Sequence, residues 1–175
     1  MPSFPTVDFV QFDLSSDPSG TRDSGGTVLG TTATNYLDFG NANTSTTSGA
    51  ISQTNAMVLR VSDMAQASGV YNMRFYVSSA TAFSEGSFRF LHSFKQHWQG
   101  ADYALTLSDN DLSTTEPLQQ NLIATNGQPV LSGITDDDVS QYIYTAVYVD
   151  SDVPYGTYGG GGAGSFRYRV YYDFS

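Results

Sequence analysis

Apolar and polar residues alternate with a period of two along several stretches of the chain, and these stretches predict its strands. In the C-terminal run Phe166, Tyr168, Val170, Tyr172 and Phe174 are apolar or aromatic, while Arg167, Arg169 and Asp173 fall between them. Such a period marks a half-buried strand. Within Gln141 to Asp150, Ile143, Val147 and Val149 alternate with Tyr144, Ala146 and Tyr148, residue types that favour a pleated surface. Between the two runs lie Tyr155-Gly156-Thr157-Tyr158 and the small residues Gly159 to Gly164, a stretch free to reverse the chain. The pattern therefore predicts a long C-terminal hairpin, with the segment Gln141 to Asp150 paired with Ser165 to Phe174.

Earlier in the chain, Val7, Phe9, Val10, Phe12 and Leu14 read as a strand whose phase switches at Phe9-Val10, as at a bulge or where a strand changes sheets. Short strands follow at Thr27 to Gly30 and Tyr36 to Gly40, then a polar surface loop from Asn41 to Gly49. Met57, Leu59 and Val61 alternate with Val58, Arg60 and Ser62, and Tyr71, Met73, Phe75 and Val77 alternate with Asn72, Arg74, Tyr76 and Ser78. The connection between these two strands, Asp63 to Gly69, is long for a tight hairpin. Further strands are predicted from Phe88 to near His92, at Tyr103 to Leu107 and at Leu122 to Thr125, with Ser93 to Gly100 as loop or a single helical turn. A helical turn fits Asp111 to Asn121, Asn126-Gly127 is a strong turn dipeptide, and Thr135-Asp136-Asp137-Asp138 can cap a short turn. Roughly eight to ten short strands separated by polar loops predict an all-β fold, an antiparallel β-sandwich of jelly-roll or Ig-like Greek-key type with little helix.

Composition agrees with this picture. The only Lys is Lys95 and the only Glu residues are Glu85 and Glu116, so the usual material of exposed helix faces is missing. A length of 175 residues suits one core, and residues 1–175 are expected to form one domain. The formal net charge of -10 repels phosphate backbones, which argues against direct nucleic-acid binding. The chain has no Cys, hence no disulfide and no thiolate metal site. Met1-Pro2-Ser3-Phe4-Pro5 lacks the basic and apolar regions of a secretory signal, and no run approaches the ~18 apolar residues of a membrane span. The expectation is a soluble protein made in the cytoplasm, with no membrane partner.

Candidate chemistry is sparse. His92 and His97 lack a Cys or a Gly-x-Ser-x-Gly elbow to work with, and a structural or surface role is expected for both. Asp109, Asp111 and Glu116, and the run Asp136, Asp137 and Asp138, offer hard oxygen ligands for Ca²⁺ or a carboxylate pair for a glycosidase, but without EF-hand spacing. Turn chemistry on a solvated surface accounts for the same residues. The glycine loop lacks the Lys and Ser/Thr of a phosphate-binding loop. No catalytic residue, cofactor site or metal site is assigned. The assigned interface residues are Tyr155, Tyr158, Gly159, Gly160, Gly161 and Gly162, because glycine permits close backbone approach and tyrosine anchors protein interfaces. A sugar-binding platform is the competing reading of these aromatics.

Two passages carry a resemblance. Leu37-Asp38-Phe39-Gly40, the Ser/Thr-rich loop after it and Met57-Val58-Leu59-Arg60-Val61 are similar to the opening strands of Ig-like β-sandwich modules of bacterial and viral surface proteins. Gly69-Val70-Tyr71-Asn72-Met73-Arg74-Phe75-Tyr76-Val77 and the run Phe166 to Phe174 resemble tailed-phage virion proteins of the accessory, head-decoration type. The resemblance implies a non-enzymatic structural protein present in many copies on a virion, a decoration or cement protein on the outer capsid surface. Its implied partners are the major capsid protein or other virion subunits, including copies of itself as a homo-oligomer. The alternatives are a carbohydrate- or receptor-binding module of a phage tail or cell surface, with Tyr residues and Trp98 as stacking platforms, and thirdly a hydrolase.

Overall fold

A computed structural model of the chain describes residues 4–20, 24–30, 37–45, 47–78, 88–111, 122, 124–125, 128–129, 140–154 and 167–175. Within these, the alternating runs form strands β1 (Thr6–Phe12), β2 (Thr27–Val28), β3 (Ala50–Ile51), β4 (Asn55–Asp63), β5 (Val70–Ser78), β6 (Phe88–Lys95), β7 (Asn110–Asp111), β8 (Ala124–Thr125), β9 (Gln128–Pro129), β10 (Tyr142–Val149) and β11 (Arg167–Phe174). No helix occurs among the described residues, and every strand pair is antiparallel. The fold is all-β, as the pattern and the composition predict. Thr125 stands opposite Gln128 in the small β8–β9 pair, the register expected around Asn126-Gly127, a dipeptide that itself lies outside the described residues.

One seven-stranded sheet runs in the order β2-β1-β4-β10-β6-β7, with β3 also paired to β10. β11 and β5 form a separate two-stranded ribbon. The predicted C-terminal hairpin is therefore not formed. β10 pairs with β6 along its whole length on one edge and with β4 and then β3 on the other, whereas β11 pairs with β5. The reason is burial: Tyr142 to Val147 are buried on both faces of the sheet, a central-strand environment that one-sided β11 does not match.

The ribbon packs on one face of the sheet. Met57, Leu59 and Val61 of β4, Phe90 of β6 and Ile143 and Val147 of β10 form a core with Val70, Met73 and Phe75 of β5, and Tyr168, Val170 and Tyr172 of β11 pack against it. Phe75 touches three elements at once: its ring stacks on Tyr168 at 4.9 Å, lies 6.3 Å from Phe94 in an edge contact and 6.2 Å from Phe9. Thr145 and His92 face each other across β10 and β6 within this layer, and His92 lies 4.9 Å from the Phe94 ring. Burial raises the pKa of Tyr168.

Among the described residues, the other face is covered mainly by loop segments. Val10, Phe12, Ala56, Val58, Leu91, Tyr142, Tyr144 and Ala146 form a second core, covered by Leu14, Trp98, Tyr103 and Leu105. Gln99 N–H donates to the Tyr144 hydroxyl at 3.0 Å and Leu105 N–H donates to the Thr54 hydroxyl at 3.1 Å, which fixes the covering segment. Tyr103 to Leu107 is thus a pinned loop and not the expected strand. Leu37 to Gly40 is likewise not a strand: Leu37 and Phe39 pack on the first core, while Gln53 and Asn55 side chains donate to the Asp38 carbonyl.

Covering both faces also explains the phase switch in β1. Val7 and Phe9 serve the first core and Val10 and Phe12 the second, with continuous register from Val7 opposite Val61 to Phe12 opposite Ala56. No bulge is needed at Phe9-Val10. A true phase change occurs in β5, where the register shifts opposite Tyr171 to Asp173 and Asn72 takes a φ of 56°. The left-handed backbone is one that Asn tolerates better than most residues, and the extra residue lets Val70 join Met73 and Phe75 in the core.

Two serines complete the sheet where backbone pairing stops. Ser52 N–H donates to the Val147 carbonyl at 2.9 Å, and the Ser52 hydroxyl accepts from Val147 N–H at 2.9 Å. Ser140 treats Leu59 the same way, its N–H donating at 2.8 Å and its hydroxyl accepting at 2.9 Å. Each serine satisfies a buried donor and a buried acceptor that would otherwise cost free energy.

Candidate interaction face

The alternation that turns Met73, Phe75, Tyr168, Val170 and Tyr172 toward the sheet turns the intervening residues of the ribbon away from it. The outer face so formed carries Arg74 and Tyr76 from β5 and Arg167, Arg169 and Tyr171 from β11. Register places Arg169 directly opposite Tyr76 and Tyr171 opposite Arg74, so two Arg–Tyr pairs sit side by side with the arginine on alternate strands. In one of them the Arg74 guanidinium lies over the Tyr171 ring, 5.7 Å from its centroid. Arg167 continues the row opposite Ser78.

The bulge orders one end of this face. Asn72, held in its left-handed conformation, donates through Nδ2 to the Asp173 carboxylate at 2.7 Å and accepts at Oδ1 from Arg74 Nε at 3.2 Å. Arg74 is thereby held from below by Asn72 and covered by Tyr171. Arg167, Arg169 and Tyr171 are exposed, Tyr171 at 47%. Beyond Asp173, Phe174 is also exposed and meets Phe4 in an edge contact at 5.6 Å.

The charge distribution singles out this face. Seven Lys and Arg residues stand against 17 Asp and Glu in the chain, and Arg74, Arg167 and Arg169 occupy one surface of a two-stranded ribbon. A guanidinium offers planar, paired donors suited to carboxylate or phosphate. Tyrosine beside it gives contact area with few rotatable bonds, and Arg and Tyr are the residues that dominate binding energy at protein interfaces.

The residues singled out from sequence fare differently. Tyr155, Tyr158, Gly159, Gly160, Gly161 and Gly162 lie outside the described residues, as do Glu116, Asp136, Asp137 and Asp138. Asp109 performs turn chemistry, its carboxylate accepting from the N–H of Thr106 at 2.7 Å and from the Thr106 hydroxyl at 3.2 Å. Asp111 is in β7 opposite Leu91. No group of three potential metal-ligating side chains occurs among the described residues. His92 is buried in the first core, and His97 is exposed. Trp98 packs 5.4 Å from Tyr142 and 5.9 Å from Tyr144 as part of the second-face cover. No family model, curated protein or solved structure matches the chain.

In the sequence, Arg74, Tyr76, Arg167 and Arg169 stand as spacers between apolar residues. Their outward phase was visible in the alternation. Their assembly into one face depends on β5 and β11 pairing across most of the chain length, which no local pattern announces.

Proposed function

We propose that this protein is a non-enzymatic structural subunit of a virus particle, a decoration or cement protein whose β-sandwich domain attaches to the outer capsid surface and stabilises it. The observation that carries the binding role is the outward Arg–Tyr face of the β5–β11 ribbon, which is built from two paired strands and braced by the Asn72 bulge. A strand surface with alternating cations and aromatics suits docking against another subunit. The placement on a virion rests on the resemblance of the Gly69 to Val77 and Phe166 to Phe174 runs to head-decoration proteins, and these two runs are the ones that pair to make the ribbon.

The test is association with particles. Gradient-purified virions should contain the chain in stoichiometric amounts, and virions lacking it should lose integrity at lower temperature or at low salt. Absence of the chain from purified particles, or deletion without effect on their stability, would refute the reading.

A further inference from the structure

The proposed particle role leaves open what the ribbon binds. Resting on that reading, we infer that the partner surface is an acidic polypeptide of a neighbouring subunit, engaged by Arg74, Arg167 and Arg169 through paired guanidinium–carboxylate contacts with Tyr76 and Tyr171 packed between them. Charge complementarity chooses this occupant. The three arginines share one face of a ribbon in a protein of net charge -10, and the acidic group in their row, Asp173, is engaged by Asn72. Carboxylates on a partner would find cations there and like charge over much of the remaining molecule, so attraction selects one docking orientation.

The geometry also favours carboxylate over nucleic acid. Phosphate binding strengthens with the number of cations that follow a backbone, and here the row is short and set in an acidic body, which a stiff and densely charged duplex must also face where a flexible polyglutamate segment turns away from it. A discrete acidic patch or segment of a protein ends where the arginines end. The Arg74 contact with Tyr171 matters here: it holds the guanidinium plane in place before binding, which lowers the ordering cost of the contact.

The experiment is a titration of the full chain with poly-L-glutamate and, separately, with duplex DNA of random sequence, followed by fluorescence anisotropy at low and at moderate salt. The expected result is binding of poly-L-glutamate that weakens with salt and falls about tenfold or more in the Arg167→Glu/Arg169→Glu variant, as loss of close charge pairs does elsewhere. Lys95→Glu reverses a cation on the other side of the sheet, near Tyr103, and should leave binding unchanged, whereas net charge alone, altered by −2 against −4 in the double variant, would cost half as much on a logarithmic scale. Arg167→Lys/Arg169→Lys should restore part of the affinity, because lysine keeps the charge and loses the paired donors. A loss from Lys95→Glu of half the double variant's or more on that scale, tighter binding of DNA than of poly-L-glutamate, or no binding of either would overturn the inference. Dimerisation in sedimentation velocity that is abolished by the double reversal would also overturn it, giving the face to a second copy. Particle attachment that survives the double reversal would sink the inference and leave the virion role standing, whereas poly-L-glutamate binding without any particle association would do the reverse.

Discussion

Replacing Phe75 by alanine tests whether the ribbon and the sheet fold as one unit. Phe75 is fully buried and its ring meets Tyr168 of β11, Phe94 of β6 and Phe9 of β1, so it joins both layers. Truncating a core Phe costs about 3–5 kcal/mol, and each lost ring contact adds about 0.5–1.5 kcal/mol beyond area. The upper end, about 5 kcal/mol, applies here because three ring contacts are lost together. A domain of this size loses about 3 °C of Tm per kcal/mol, so a fall of about 15 °C is expected, against about 5 °C for Phe75→Leu, which keeps most of the volume. Trp98, the single tryptophan, supplies the assay, since it lies in the second core on the far side of the sheet. Its fluorescence transition should move down with the far-ultraviolet circular dichroism transition by the same amount. If the Trp98 transition stays at the parental temperature while the dichroism signal loses an early step, the ribbon unfolds by itself and the reasoning fails.

Three further outcomes are expected. Gly26→Ala places a Cβ 2.6 Å from Val10 Cγ1 and 2.9 Å from the Gln11 carbonyl oxygen at a φ of +84°, so chemical denaturation should show a loss of about 2–4 kcal/mol. Burial raises the pKa of Tyr144 from 10.0 to about 12, partly opposed by the Gln99 N–H, so the folded protein favours the neutral phenol. That stabilisation is complete below pH 10 and is lost as pH rises toward 12. Absorbance at the tyrosinate band should therefore show a late fraction that appears together with unfolding, and full ionisation below pH 11 in a still-folded protein would contradict the burial. Ser52→Ala leaves Val147 N–H without its acceptor, at a cost of about 1–3 kcal/mol measured by denaturant titration.

The strands were legible as runs of apolar, aromatic and β-branched residues: β4, β5, β10 and β11 fall within the runs predicted as strands, whereas β6 continues through Ser93 to Lys95, past the expected end near His92. Pairing was not legible. Chain proximity suggested joining β10 to β11, since neighbours in sequence are often neighbours in a sheet. The contrary signal was present in Tyr142-Ile143-Tyr144-Thr145-Ala146-Val147, a run without polar charge on either face, in contrast to the Arg-spaced β11. A strand apolar on both faces belongs at the centre of a covered sheet, and one with a charged face belongs in an outer layer. The interaction face was hidden for the same reason, because pooling Arg74 with Arg167 and Arg169 requires knowing that β5 lies beside β11. The bulge at Asn72 could not be foreseen from the regular Tyr71, Met73, Phe75 spacing, which placed Tyr71 in the core where Val70 stands.

Ser52 and Ser140 have a consequence for how the chain finds its register. In an ordinary one-sided sheet a slip by one residue throws apolar side chains into water and is rejected at once. β4 and β10 forfeit that safeguard, since Ala56 to Val61 and Tyr142 to Val147 are buried whichever way they point. A slipped pairing would keep most of its apolar burial and persist as a trap. The two serines act as keys cut into the ends of the strand pair: only when Val147 meets Ser52 and Leu59 meets Ser140 do both hydroxyls and both N–H groups find partners. Their weight thus falls on the competing arrangements as much as on the native one. A chain lacking both keys should show added slow refolding phases before it loses its fold.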